Sequence, residues 1–188
     1  MRARNISLLA AVFSLLLAGS AAPAQTFTAA PNNKFLVDLD TMDGHFSNWE
    51  HDDLGSLNAL RASLKVTRLG NIAKWLPYFT VWLYAKSPGS NGVCGLVLDA
   101  PARKPPLNAR LDCRIDGSKV TPQPFSKTLN VNEAVDLEMS WIDANKLTVR
   151  LGTETRTLPL PWGVSKLAVS SSTGEFVLTD LTLGTMAR

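Results

Sequence analysis

The chain lacks the short motifs that announce common chemistries. In 188 residues no G-x-S-x-G elbow, Walker loop or G-x-G-x-x-G turn occurs, which removes the nucleophile-elbow, nucleotide-binding and dinucleotide-binding readings. There are only two histidines, His45 and His51, and serine is too common to point to a triad nucleophile beside either. Charge of one sign is scarce too. Of the 19 basic residues, Arg2 and Arg4 lie at the extreme N-terminus; the other 17 face 16 acidic ones, a net charge of +1 beyond it. Nucleic-acid binders carry a basic stripe, and the nearest approach, Arg103-Lys104 among prolines, reads as a solvated loop, so no nucleic-acid partner is expected. Long apolar runs are also missing. The one from Ile6 to Ala18 spans about 13 residues, short of the roughly 20 that a transmembrane helix needs.

That run has a different meaning in its context. Arg2 and Arg4 precede it and the small residues Ala22-Pro23-Ala24 follow it, the three parts of a secretory signal. Residues 1–24 are therefore expected to be removed, leaving residues 25–188 as a single exported domain, periplasmic or secreted, with one hydrophobic core.

Both cysteines fall in the exported part, where oxidation favours pairing. Leu107, Ala109, Leu111, Cys113 and Ile115 alternate with Asn108, Arg110, Asp112 and Arg114, a strand with one wet face. Cys94, Leu96 and Leu98 alternate in the same way upstream of the loop 100–106. A symmetric hairpin sets Leu98 against Ala109, Leu96 against Leu111 and Cys94 against Cys113. A cross-strand disulfide with both sulfurs on the apolar side follows, in preference to two buried thiols.

Alternation recurs along the chain: Phe35, Val37, Leu39; Leu60, Ala62, Leu64, Val66; Val135, Leu137, Met139, Trp141, then a turn and Leu147, Val149, Leu151. Leu167 and Val169 precede a turn at Ser172-Thr173-Gly174, and the run Phe176 to Leu183 changes phase near Asp180 as a bulge would. Two places also fit a helix, namely Leu57, Leu60 and Leu64, and the turn Ile72 to Leu76. Eight or more short strands without a sustained helical period predict an all-β antiparallel sandwich or jelly roll.

The order of features resembles the concanavalin A-like lectin/glucanase superfamily, including laminin-G-like domains. The resemblance is carried by an early Phe46-Ser-Asn-Trp49, by the central hairpin Val135 to Leu151 with its Ser140-Trp141-Ile142-Asp143 turn entry, and by the closing run Phe176 to Gly184. It implies a β-sandwich that binds sugars, cleaves glycans or mediates adhesion, and the fold does not choose among these.

The strand Tyr78 to Ala85 is the most unusual. With Phe79, Val81, Leu83 and Ala85 toward the core, Tyr78, Thr80, Trp82 and Tyr84 share the other face. Aromatic rings with polar tips suit stacking on sugar rings, and Arg110, Asp112 and Arg114 on a neighbouring strand would add hydrogen bonds to hydroxyls or carboxylates. The alternative is a strand buried on both faces. Partial exposure of Trp82 and of at least one of the two tyrosines is the expectation that separates them.

Glycoside hydrolysis usually uses two carboxyl groups across a cleft. Asp136 and Glu138 share one strand face about 7 Å apart, but the glucanase branch of the resembled superfamily carries a third acid where Ser140 and Trp141 stand here. An ordinary solvated face accounts for them as well. Residues 43–53 hold both histidines and four acids, yet a calcium loop aligned on Gly44 and Glu50 puts Leu39 at its first ligand position, and no short-spaced zinc motif is present. The segment reads as a polar loop anchored to the core by Phe46 and Trp49. Together these features predict binding of a carbohydrate or glycoconjugate without catalysis, with no cofactor and no metal. A glycan hydrolase or lyase using Asp136 and Glu138 is the alternative, and a protein-interaction module the third class; no protein partner is identifiable.

Overall fold

A computed structural model describes residues 25–187 except 71–75, 86–91, 102–103 and 143–145. The proposed leader, the possible helical turn before Leu76 and most of the turn at 143–146 lie outside the described residues. Those described form eleven strands: β1 (Phe27–Asp52), β2 (Ala59–Leu69), β3 (Tyr78–Ala85), β4 (Val93–Asp99), β5 (Leu107–Ile115), β6 (Ser118–Lys119), β7 (Gln123–Leu129), β8 (Ala134–Ser140), β9 (Lys146–Leu151), β10 (Glu154–Pro159) and β11 (Val164–Met186).

Two strands organise the rest. The first half of β11, through Ser172, pairs with β3, and its second half, from Gly174, pairs with β2. β1 runs antiparallel along both halves. One layer is therefore β1-β11-β2-β8-β9-β10 and the other β1-β11-β3-β4-β5, with β6 and β7 on β5. Every pairing is antiparallel.

The bend from one layer to the other is built from specific residues. The β1 register slips between Thr41 and Phe46, where Gly44 takes φ +83°, a left-handed conformation that glycine adopts without a Cβ clash. Opposite it Thr173 takes φ +53°. The hydroxyls of Thr41 and Ser171 bond to each other across the bend, and the Gly44 amide donates to Thr173 Oγ1 at 3.3 Å. Two sequence expectations change here. Ser172-Thr173-Gly174 is not a turn but the bend of one 23-residue strand, and residues 43–52 are strand rather than loop.

The alternating apolar positions meet between the layers. Phe79 of β3 stacks on Phe176 of β11 at 5.0 Å, and Leu60, Leu64, Leu83, Leu96, Leu111, Leu137, Val149 and Leu178 are fully enclosed with them or nearly so. Burying each such side chain contributes about 1.5–3 kcal/mol. The helical alternative for Leu57, Leu60 and Leu64 is excluded, since Leu60 and Leu64 lie in β2. The phase change at Asp180 is present: its φ is +53° and the β11–β2 register shifts between Thr179 and Thr182. Along β1 the open edge is closed by Phe35, Trp49 and His51, whose rings lie 5.3 to 6.1 Å apart. At the far edge the Glu154 carboxylate of β10 accepts from the Ser126 and Lys127 amides of β7 at 2.9 and 2.6 Å.

The hairpin of β4 and β5 has the expected register. Leu98 faces Ala109, Leu96 faces Leu111 and Cys94 faces Cys113, and the two cysteines are joined in a disulfide on the core side. In the chain-entropy account a bridge closing about 20 residues stabilises by roughly 3 kcal/mol.

Candidate functional site

Antiparallel partners project to the same face of a sheet, so the register lays out the outer face of the second layer. One row runs Glu50, Ala168, Trp82, Gly95, Asp112 across β1, β11, β3, β4 and β5, and the next runs Asp52, Lys166, Tyr84, Val93, Arg114. On the other side of Trp82 lie the rows of Thr80 with Val97 and Arg110, and of Tyr78 with Asp99 and Asn108. The structure thus brings Tyr78, Trp82, Tyr84, Arg110, Asp112 and Arg114 onto one surface.

The three rings are half-buried, while Phe79, Val81 and Leu83 behind them are enclosed. The strand is therefore not sealed on both sides. Gly95 is central to the arrangement. A Cβ there would lie 1.9 Å from the Val81 carbonyl oxygen, so only glycine permits this approach of β4 to β3. Its bare backbone also leaves no side chain between the Trp82 indole and Asp112 on the next strand.

The charged groups of this face are largely engaged with one another. Arg110 bonds the Asp99 carboxylate and lies 3.5 Å from Asp112. Burial opposes its charge, but the bonds and charges of Asp99 and Asp112 outweigh that and raise its pKa further above its already high value. Lys166 pairs with Glu50 at 3.2 Å and sits 4.8 Å above the Tyr84 ring. The Asn48 amide, held by Ser170, also bonds Glu50 and with Lys166 keeps its carboxyl below the usual range. Partial burial raises the Tyr84 phenol, an effect that the Lys166 charge partly opposes. Asp112 is more enclosed than a solvated strand face implies, at 8 % exposure, whereas Arg114 is exposed at the rim. Among the described residues Thr80 Oγ1 and Asp112 Oδ1 are enclosed without a hydrogen-bond partner. Each such atom carries a desolvation cost of about 1–3 kcal/mol.

Asp136 and Glu138 lie elsewhere, on the outer face of the first layer. Asp136 is exposed, and Glu138 Oε2 receives both Arg61 at 2.6 Å and Arg150 at 3.2 Å. A depression of about 390 Å³ beside them is lined by Arg61, Ser63, Asp136, Arg150 and Asp180. Among the described residues no group of three or more histidines, cysteines and carboxylates is close enough to hold an ion. Trp49 packs against the core as expected, but Phe46 does not anchor anything. It projects outward, 63 % exposed, because it stands at an even position of β1, whose odd positions, Val37, Leu39, Thr41 and Trp49, face the core on both sides of Gly44. An apolar slot beside it, lined by Gly44, His45, Phe46, Leu76, Tyr78 and Ser172, was not anticipated. Its traces in the sequence were Phe46, preceding the Ser-Asn-Trp run, and Tyr78 at the start of the aromatic strand.

No known family's sequence profile matches the chain, and no curated protein sequence does. Solved structures do share the fold. A galectin of Caenorhabditis elegans superposes with a TM-score of 0.51 at 10% identity, over 83% of this chain and 99% of that one. A homodimeric agglutinin from chicken liver gives 0.50 at 14% identity, covering 73% and 99%. An ancestral congerin gives 0.50 at 13%, covering 72% and 98%. The chain shares with these structures an all-β antiparallel sandwich, the fold that the order of sequence features implied.

Proposed function

We propose that the chain is an exported glycan-binding protein whose ligand lies on the outer face of β3, β4 and β5, and that it binds without catalysis. The observation that carries this reading is the row of three half-buried rings, Tyr78, Trp82 and Tyr84, with Trp82 opposite the bare backbone of Gly95 and next to Arg110 and Asp112. Rings supply the flat apolar surface on which the C–H face of a pyranose stacks, and the flanking guanidinium and carboxylate bond its hydroxyls. The pairing of Arg110 with Asp99 and of Lys166 with Glu50 favours a neutral sugar over a polyanionic one, since these two cations beside the rings already have their counter-charges. The agglutinin and galectins that share the fold are lectins by name, which supports a sugar ligand, although a shared fold does not by itself transfer a function. The disulfide is consistent with an oxidising, exported setting.

A glycan array followed by affinity electrophoresis of Trp82→Ala tests the reading. Loss of binding in a variant that melts like the parent supports it; undiminished sugar binding removes the ring platform.

A further inference from the structure

The ring-bearing face ends at the bend of β1 in an apolar slot that sugar stacking does not use. We propose that this slot takes the apolar aglycone of a glycoconjugate, an alkyl or acyl chain joined to the sugar that stacks on Trp82; the proposal rests on the reading of the neighbouring face given above. Phe46, Ser172 and Tyr78 stand side by side on β1, β11 and β3. Two strand spacings place the aromatic residues roughly 9 to 10 Å apart. A hydrocarbon layer in contact with a surface on each side needs roughly 7 to 8 Å, so the gap admits one chain.

The slot is walled and floored rather than flat. Ser172 is small, and its hydroxyl is spent on the Leu76 carbonyl at 3.0 Å, which fixes Leu76 as a third wall. Gly44 and His45 close the end, the walls are almost wholly apolar, and the enclosed space is about 370 Å³, within the range of small-ligand sites. Phe46 and Leu76 are 63 % and 43 % exposed, so an occupant would remove apolar surface from water. Continuity decides which occupant. Tyr78 belongs both to the slot and to the ring row, and Trp82 lies four residues further along the strand, about 13 Å away. One pyranose ring carrying a six-carbon chain spans that distance. A second copy of the chain would bury the exposed Phe46 but has no reason to engage the shared tyrosine.

The test compares methyl and hexyl β-D-glucopyranoside, and the corresponding galactopyranosides, by calorimetric titration of the parent, Phe46→Ala and Trp82→Ala. Each methylene removed from water is worth about fourfold in affinity, so covering two or three predicts that the hexyl glycoside binds about 15- to 60-fold tighter than its methyl counterpart. Phe46→Ala should erase that gain and leave the methyl glycoside unchanged. Equal affinity of the pair in the parent, or a gain that survives Phe46→Ala, overturns the proposal. A Phe46-dependent dimer in sedimentation without a hexyl gain does so too. Hexyl binding that depends on Phe46 but not on Trp82 upholds the slot while removing the sugar platform beside it, so the two readings fail separately.

Discussion

The two outer faces of this sandwich are made by the same strand alternation and have opposite chemistry. Over β2, β8 and β9 the outward positions are Arg61, Ser63, Asp136, Glu138, Thr148 and Arg150, and the central charges satisfy one another through Glu138. Over β3, β4 and β5 they include Tyr78, Trp82 and Tyr84, with one position emptied at Gly95. Alternation only divides inside from outside. The use of the outside depends on which residues stand there: mutually paired charges need no further partner, whereas half-covered rings retain apolar surface that a ligand can bury.

The strongest way to break the contrast is at Gly95. Gly95→Ala puts a Cβ 1.9 Å from the Val81 carbonyl and 3.0 Å from the Trp82 Cα, so β3 and β4 must separate. We expect a loss of about 3 kcal/mol or more, read as a fall in Tm of roughly 6–12 °C for a domain of this size. Ser63→Ala, on the charged face, should stay within about 0.5 kcal/mol. Equal effects in thermal melts would mean that the close approach at Gly95 is not needed.

The ring face is also the one braced covalently from below. Replacing Cys94 and Cys113 together by alanine removes the bond under β4 and β5, with an expected cost of about 3 kcal/mol by denaturant titration. Sugar affinity should fall as well, because the strands carrying Arg110 and Asp112 lose their tie. Unchanged affinity in the folded double variant would show that the face is positioned by β3 alone.

How much of this was legible depends on what each residue's neighbours demand. Cys94 and Cys113 were readable because both strands alternate cleanly on either side of a short loop, so a single register satisfies every apolar position. The break at Asp180 was readable for the same reason, as a phase change between apolar positions. Residues 43–53 were not. An edge strand has one side free of partners, so its polar content looks like that of a loop, and Phe46 and Trp49, three residues apart, cannot both face the core of a strand. Odd positions of β1 face the core on both sides of the irregularity, as Val37, Leu39, Thr41 and Trp49 show, so the even-numbered Phe46 falls on the outer face and joins the candidate slot. Ser172-Thr173-Gly174 has turn chemistry, yet pairing with β1 and β3 keeps the residues on either side of the bend extended. The rings of β3 were visible as a pattern; the bare Gly95 opposite Trp82 needed the register.

A smaller, sharper test exchanges the faces. Trp82→Ala should weaken sugar binding by about 2 kcal/mol, roughly 30-fold. The double change Asp136→Asn and Glu138→Gln should leave binding untouched, since it alters only the charged face. If the parent turns over a polysaccharide and that double variant does not, the charged face is the working one and the assignment of roles to the two faces is reversed.

The least effect is expected where the layers meet. Glu154 of β10 accepts the Ser126 amide and, with less effect on its acidity, the Lys127 amide of β7; the bond from Ser126 comes first in holding its carboxyl below the ordinary carboxylate range, partial desolvation opposing it. Glu133 is held below the same range chiefly by its bond to Lys127 and then by Asn130. A carboxyl whose pKa is lower folded than unfolded binds fewer protons in the native state, so its contribution is complete above about pH 4.5 and is lost as pH falls through the folded value. Both groups are only partly covered, so water screens them and keeps the contribution small. Melting curves taken at steps below pH 4.5 should therefore show a decline that is shallower in the double variant Glu133→Gln, Glu154→Gln, and at neutral pH that variant should be slightly less stable than the parent. Parallel acid declines in the two proteins would show that the β7–β10 seam holds without the Glu154 carboxylate, through the bond from Arg156 to the Pro124 carbonyl and packing around Phe125.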